Sequence, residues 1–277
     1  MAGFYAVYHG PEGLKKIASR IHGLTKLTSQ ALEQMGYEIS TKEFFDTISV
    51  QFDSIDEKND IANRAEKRGV NLRTYPVDKN RLGISMDEAK DLNDVKLLVD
   101  IFGEAAGVSP KKRPDIEEMS ETVELGLPEE LERKTSYLEH PVFNSYYSEH
   151  EMLRYMKMLE NRDLSLVHSM ITLGSCTMKL NATAEMIPLT WPEFANIHPF
   201  APKEQAEGYQ QLFEELEEQL SEITGFERVS LQPNSGAQGE YTGLMTIRAY
   251  HQSRGDDKRN VTIVPSSAHG TNPASAI

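Results

Sequence analysis

Residues 228–244 read RVSLQPNSGAQGEYTGL, and residues 261–276 read VTIVPSSAHGTNPASA. In each stretch a short run with β-branched residues is followed by a turn of small residues, and the turn leads into a helical pattern. This order predicts a strand over 228–232, a helix over about 239–253 and a second strand over 261–264. Small residues between a strand and a helix leave backbone N–H groups exposed at the helix N-terminus, where the helix dipole favours an anion such as phosphate. The sequence therefore predicts half of a phosphate site in its last fifty residues.

Composition and charge exclude several classes of protein. Hydrophobic residues make up 39% and charged residues 26% of the 277 residues, as in soluble globular proteins. The net charge of −14 argues against nucleic acids and anionic membranes as partners. We find no apolar run near the ~18 residues that span a bilayer, and no targeting signal. Cys176 is the only cysteine, which fits a reducing compartment. Bacterial cytoplasm and mitochondrial matrix suit these features equally.

Periodicity in the first part of the chain predicts a small α+β domain over residues 1–105. Its elements are a helix from Pro11 to about Gly36, strands over 44–50, 70–75 and 81–85, a helix that begins after Ser54, and a closing helix over 95–102. Prolines and glutamates then dominate residues 106–147, which we interpret as an extended acidic linker.

The remaining residues, 148–277, have the pattern of an incomplete large α/β domain. Ser148 and Glu151 have the spacing of a capping box, which predicts a helix that ends near Asn161. A long acidic helix is predicted over 205–224. Its glutamates are most simply a solvated helix face, so we expect no metal site. The two strands predicted over 228–232 and 261–264 cannot cover their helices on both faces. Apolar side chains in the last fifty residues should therefore be exposed.

Six segments carry a family resemblance. They are GFYAVYHGPEGLKKIASRIHGLT (3–25), SCTMKLN (175–181), EMIPLTWPEFANIHPF (185–200), EQAEGYQQL (204–212), LQPNSGAQGEYTGL (231–244) and SSAHGTNPASA (266–276). These segments resemble the P-proteins of the glycine cleavage system, a family of pyridoxal-phosphate-dependent glycine decarboxylases. The resemblance covers nearly the whole chain and is weakest over 30–115.

The resemblance implies an architecture. P-proteins consist of two similar halves, each with an aminotransferase-like (fold-type I) α/β fold. By this comparison the chain resembles a fragment: the small domain that closes the first half, the linker, and the N-terminal part of the second half's large, cofactor-binding domain. The aspartate that pairs with the pyridine nitrogen and the lysine that holds the cofactor covalently would lie beyond Ile277, so we expect no catalytic residue here and no activity from this chain alone.

The resemblance also implies a reaction and its partners. Pyridoxal phosphate would support the decarboxylation of glycine, and the aminomethyl group would pass to the lipoyl arm of the H-protein. The remaining parts of the P-protein would complete a homodimer or heterotetramer. We expect neither nucleic acid nor a membrane as a partner.

Specific residues follow from the matched motifs. The residues implied to bind the cofactor are Ser235, Gly236, Ala237 and Gln238 around the phosphate, His269 on the face of the ring, and Thr271 and Asn272 near cofactor or substrate oxygens. Ser175, Cys176 and Thr177 would line the mouth of the active site. Lys179 precedes both motifs, whereas the covalently bound lysine of fold-type I enzymes follows them, so we do not assign Lys179 that role.

Each motif also has a simpler interpretation. The segment 235–238 can be a strand-to-helix turn in which glycine serves the backbone alone. A lone loop histidine such as His269 is usually only a turn residue, and a lone cysteine such as Cys176 is usually a small buried apolar residue. The alternative function is therefore a non-catalytic α/β module that binds a phosphorylated ligand or a partner chain.

Overall fold

A computed structural model covers the whole chain and describes residues 1–123, 127, 129–163 and 182–277. The chain divides into two compact units, Met1–Arg162 and Asp163–Ile277. The predicted domain boundaries after residues 105 and 147 remain predictions. In the described residues the fold is a mixture of helices and one small antiparallel sheet, compatible with the predicted α/β class.

The sheet lies in the first unit and has four strands in the order β1-β2-β4-β3. Their bounds are β1 Glu38–Ile39, β2 Thr47–Gln51, β3 Arg73–Thr74 and β4 Arg81–Ser85. The central pair is antiparallel, with Ser49 opposite Gly83. Ile48, Val50, Leu82 and Ile84 of this pair are all buried, so the middle of the sheet belongs to the core.

Five helices accompany the sheet: α1 Ala2–Gln34, α2 Ile55–Lys67, α3 Leu92–Ala105, α4 Ile116–Thr122 and α5 Glu149–Glu160. Each of the last four starts at a residue whose side chain accepts backbone N–H groups of the first turn, namely Ser54, Asp91, Asp115 and Ser148. The core between the helices and the sheet includes Leu27, Leu32, Ile61, Val95, Ile101 and Phe102.

Tyr37 joins this core to the end of α3. Its hydroxyl donates a hydrogen bond to the backbone oxygen of Phe102 at 2.8 Å, and its ring meets the Phe102 ring edge-on at 5.0 Å. Burial raises the pKa of Tyr37 to about 12, and the nearby carboxylates of Glu57 and Asp60 add to the shift.

Helix α1 consists of two helical stretches separated by a kink at Gly10, whose φ of 62° and ψ of −178° are not helical. We name residues 137–147 the strap, because this segment packs against the kink. The Tyr137 hydroxyl donates a hydrogen bond to the Pro11 oxygen at 2.7 Å. A Cβ atom at Gly10 would lie 2.7 Å from the Tyr147 ring and 2.8 Å from the Phe143 oxygen. Only glycine therefore satisfies both the backbone conformation and the available space.

Close packing also explains Gly103 in α3. Arg113 crosses this position, so a Cβ atom at Gly103 would lie 2.7 Å from the arginine Nε. The Arg113 guanidinium is held there by an ion pair with Asp100 at 2.5 Å and a hydrogen bond to the Val108 oxygen at 3.2 Å. These contacts join α3 to the beginning of the segment that we interpreted as the linker.

The second unit is helical in its described part. Its helices are α6 Thr183–Met186, α7 Pro192–Ala195, α8 Glu207–Thr224, α9 Gly236–Ser253 and α10 Thr271–Ala276. Gly225 ends α8 in the left-handed conformation, as predicted from the sequence. Among residues 182–277, none is buried.

The two strands predicted in this unit are wrong, because residues 228–232 and 261–264 form no strand in the structure. A β-strand needs a neighbouring strand for its backbone hydrogen bonds, and neither segment pairs with another here. Val261 and Ile263 are 85% and 92% exposed, so the β-branched residues that suggested a strand have no sheet to cover. No helix in the described part of the chain is long and apolar enough to cross a membrane.

Candidate phosphate site

The predicted phosphate-binding residues lie at the start of α9. Ser235 is its N-cap: the Ser235 hydroxyl accepts the backbone N–H of Gln238 at 3.2 Å. The side chain of Gln238 turns back and accepts the backbone N–H of Asn234 at 2.7 Å. The two side chains thus fix the turn from residue 234 into the helix.

This capping leaves two donors at the helix start. Within the described residues, the backbone N–H groups of Gly236 and Ala237 have no hydrogen-bond acceptor. Both residues are exposed, and both N–H groups belong to the first turn, where the helix dipole is positive. An anion with several oxygens could accept both of them.

A cavity of about 360 Å³ adjoins this turn. Gln238 lines it together with Ser230 and Gln232 from the preceding segment and Tyr241 and Thr242 from the next turn of α9. Tyr241 and Thr242 follow Gln238 by three and four residues and so share its helix face. Sequence reasoning did not select them, although this helical spacing could have done so.

The histidine motif lies beside the other side of α9. Asn272 lines a second cavity, of about 400 Å³, together with Gly239, Gly243 and residues 262–265. The structure therefore brings Asn272 close to the residue that follows Gln238. His269 is exposed, and its backbone oxygen accepts the N–H of Asn272 at 3.1 Å in the turn that begins α10. Thr271 is half-buried at the first position of that helix.

The other predicted site residues cannot be placed. Ser175, Cys176, Thr177 and Lys179 lie outside the described residues. In the part of the chain that the structure describes, no group of three or more histidine, cysteine or acidic side chains could hold a metal ion.

Comparison with known proteins gives the family. A family model described as Glycine cleavage system P-protein matches residues 1–102. The whole chain is also 52% identical to a glycine dehydrogenase (decarboxylating) of Idiomarina loihiensis and 54% identical to glycine dehydrogenase (decarboxylating) 2 of Pseudomonas fluorescens. The chain is thus similar to P-proteins over its whole length. The resemblance inferred from its motifs is thus confirmed.

The chain matches these P-protein relatives over a limited part of their length. All of its residues align, but it spans 28% of the length of the Idiomarina and Pseudomonas proteins. The same share holds for a third relative, the glycine dehydrogenase (decarboxylating) of Vibrio parahaemolyticus, at 52% identity. The family model matches the first unit only, whereas the similarity to these relatives extends over both units.

The described residues fit one end of pyridoxal phosphate, the cofactor that the resemblance implies. The two N–H groups of Gly236 and Ala237, which have no acceptor within the described residues, suit a phosphate group, and the cavity beside the turn is lined in part by polar side chains. Asn272 can offer both a donor and an acceptor next to α9.

Proposed function

We propose that this chain supplies part of the cofactor site of a pyridoxal-phosphate-dependent glycine decarboxylase. The observation that carries the proposal is the identity of more than half of the aligned residues, over the whole chain, to proteins named glycine dehydrogenase (decarboxylating). The aminotransferase-like, fold-type I architecture is part of the proposal, with residues 1–105 as a small domain and residues 148–277 as the start of a large one.

The proposed role of α9 is to hold the cofactor phosphate. The N–H groups of Gly236 and Ala237 would bind phosphate oxygens, and the capping bonds of Ser235 and Gln238 would keep the turn in place. A fixed array of backbone donors needs no reorganisation when the anion arrives, which favours retention. This geometry supports the proposal because the donors are exposed and unused within the described residues.

The remaining roles concern orientation. His269 would pack on the face of the cofactor ring, and Thr271 and Asn272 would form hydrogen bonds to oxygens of the cofactor or of glycine. Ser175, Cys176 and Thr177 would line the entrance for the substrate. When bound, pyridoxal phosphate supplies the electron sink for loss of carbon dioxide, and the protein supplies position and electrostatics.

The partners follow from the same proposal. Glycine would be the substrate and the lipoyl arm of the H-protein would accept the aminomethyl group. The remaining parts of the P-protein would complete the site, as a homodimer or a heterotetramer. The bacterial origin of the relatives favours the bacterial cytoplasm over a mitochondrial matrix.

A fusion protein tests the proposal. The segment that follows the aligned region in the Pseudomonas relative would be joined to residue 277, and retained pyridoxal phosphate would be measured by absorbance after desalting. Ser235→Ala should weaken retention about tenfold, as expected for loss of about one well-placed hydrogen bond. His269→Ala should weaken it as well.

Controls separate the outcomes. Ser253→Ala, at the exposed end of the same helix, should retain the cofactor like the unsubstituted fusion. Glycine-dependent release of carbon dioxide with lipoylated H-protein should follow retention. If Ser235→Ala and His269→Ala both leave retention unchanged, the proposed site is wrong. Phosphate binding without any glycine reaction would favour the non-catalytic module instead.

A further inference from the structure

A separate cavity of about 690 Å³ lies in the first unit, between one face of α1 and the segment that leads into the strap. Leu14, Lys15, Ala18, Ser19 and His22 of α1 line it at helical spacing. Phe45 and residues 132–137 line other parts of its wall. The cavity thus has apolar, hydroxyl-bearing and charged walls, and it lies outside the unit that contains the phosphate site.

His22 is the buried polar group of this cavity, with only 5% of its surface exposed. Its Nδ1 lies 3.0 Å from the backbone oxygen of Phe45. A carbonyl oxygen can only accept, so Nδ1 carries a proton, and in the neutral form of the ring this makes Nε2 an acceptor. Among the described residues no donor reaches Nε2, so this nitrogen is an accessible, unpartnered atom of a nearly buried residue that lines the cavity.

The planes of the His22 and Phe45 rings are nearly parallel, at 5°, with centroids 6.2 Å apart. The two rings and the apolar side chains of Leu14 and Ala18 provide flat and aliphatic surface on which an aromatic ring can pack. A planar ligand therefore suits this end of the cavity better than a branched one.

Lys15 supplies the charge at the other end. It precedes His22 by seven residues, about 10.5 Å along a helix, and lies on the same face. In the described part of the chain Lys15 has no ion-pair partner, whereas Lys134 pairs with Glu129 at 2.7 Å and Arg133 donates to the Thr135 hydroxyl at 3.0 Å. Among the residues that the structure describes, Lys15 is thus the lining ammonium that remains available to a ligand.

The charge of the ligand is limited by the carboxylates of Glu12 and Glu132, which also line the cavity. Each repels an anion, so a ligand with one negative charge fits better than a doubly charged phosphate. Each feature of the cavity matches one part of a ligand. The acceptor of His22 matches a hydrogen-bond donor, the apolar wall matches a ring, and the Lys15 ammonium matches one carboxylate at the far end.

We propose that this cavity binds a small aromatic acid that carries a hydrogen-bond donor opposite its carboxylate. The donor binds His22 Nε2, the ring packs between Leu14 and Phe45, and the carboxylate binds the Lys15 ammonium. The probe is 4-hydroxybenzoate, whose hydroxyl and carboxylate lie at opposite ends of one ring. Benzoate lacks the donor, and phenol lacks the charge.

The experiment is a titration of the full chain, followed by NMR through the ring protons of His22. Saturable shifts are expected with 4-hydroxybenzoate at millimolar concentration or below. Benzoate and phenol should each bind about tenfold more weakly, since each lacks one of the two polar contacts. Absence of saturation with 4-hydroxybenzoate, or equal affinity for benzoate, would overturn the proposal.

Three variants localise the binding. His22→Asn keeps a donor for the Phe45 oxygen and removes Nε2, and Lys15→Ala removes the ammonium from an exposed position that the fold does not need. Each should weaken binding of 4-hydroxybenzoate about tenfold, measured by calorimetry. Lys26→Ala, on the same helix but outside the cavity, should bind like the unsubstituted chain. If Lys15→Ala binds normally, the site is wrong even if His22→Asn does not fold.

Discussion

The kink of α1 allows a quantitative prediction for Gly10→Ala. The residue has a φ of 62° and a ψ of −178°, a combination that is essentially restricted to glycine. Alanine in such a conformation costs about 1–3 kcal/mol. Its Cβ would also lie 2.7 Å from the Tyr147 ring and 2.8 Å from the Phe143 oxygen, so the strap would have to move.

Movement of the strap adds to this cost. The hydrogen bond from the Tyr137 hydroxyl to the Pro11 oxygen would be lost or lengthened, at about 1 kcal/mol. A reduced entropy of the unfolded chain offsets about 0.4–1 kcal/mol of the total. Gly10→Ala should therefore lower the free energy of unfolding by about 2 kcal/mol.

Urea unfolding followed by far-UV circular dichroism measures this change. The cooperative transition should report the first unit, because no residue from 182 to 277 is buried. Gly36→Ala is the matched control: its φ is also positive, at 93°, but nothing lies within 4 Å of its added Cβ. The control should lose about 1 kcal/mol from backbone strain alone. Equal losses in the two variants would refute the packing argument, and an unchanged midpoint for Gly10→Ala would refute the whole argument.

Two further predictions concern the core. Phe102→Ala removes a fully buried ring and should cost about 3–5 kcal/mol in the same urea assay, whereas Val77→Ala at a 98% exposed position should change little. Tyr37→Phe should cost about 1 kcal/mol at neutral pH, through the lost bond to the Phe102 oxygen. Because the pKa of Tyr37 is raised to about 12, the folded state holds this proton more tightly than the unfolded state, and stability falls as pH rises from about 10 to 12. The stability of the Tyr37→Phe variant should fall less steeply between about pH 10 and 12. An identical pH dependence in both proteins would contradict the raised pKa of Tyr37.

Local signals predicted much of the first unit. Ser54 and Ser148 mark helix starts through hydrogen bonds within one turn, and such contacts depend only on nearby sequence. Residues 44–50 were interpreted as a strand, and Ile48 and Val50 lie buried in β2. Strand β1 was missed because two residues are too few for a periodic pattern. The helical stretch before Gly10 was also missed, since Pro11 suggested a helix start.

The second unit was harder to predict, because strand formation depends on distant partners. Val261 and Ile263 have strong β-propensity, but propensity reflects packing against a sheet rather than an intrinsic backbone preference. The helix starts, by contrast, are local: Ser235 caps α9 as its position suggested. The exposure predicted for the last fifty residues holds for Ile247 at 55%, whereas Leu231 and Leu244 are half-buried. The roles of the cofactor-binding residues remain predictions.

The packing of Arg113 across Gly103 has a consequence for evolution. A larger residue at position 103 would displace the arginine from Asp100 and from the Val108 oxygen. Relatives that carry a side chain at position 103 should therefore carry a shorter residue at position 113, whereas position 100 is half-exposed and its carboxylate can remain in solvent without a partner. Substitutions at positions 103 and 113 should be inherited together, so an aligned set of P-proteins would show them as a covarying pair.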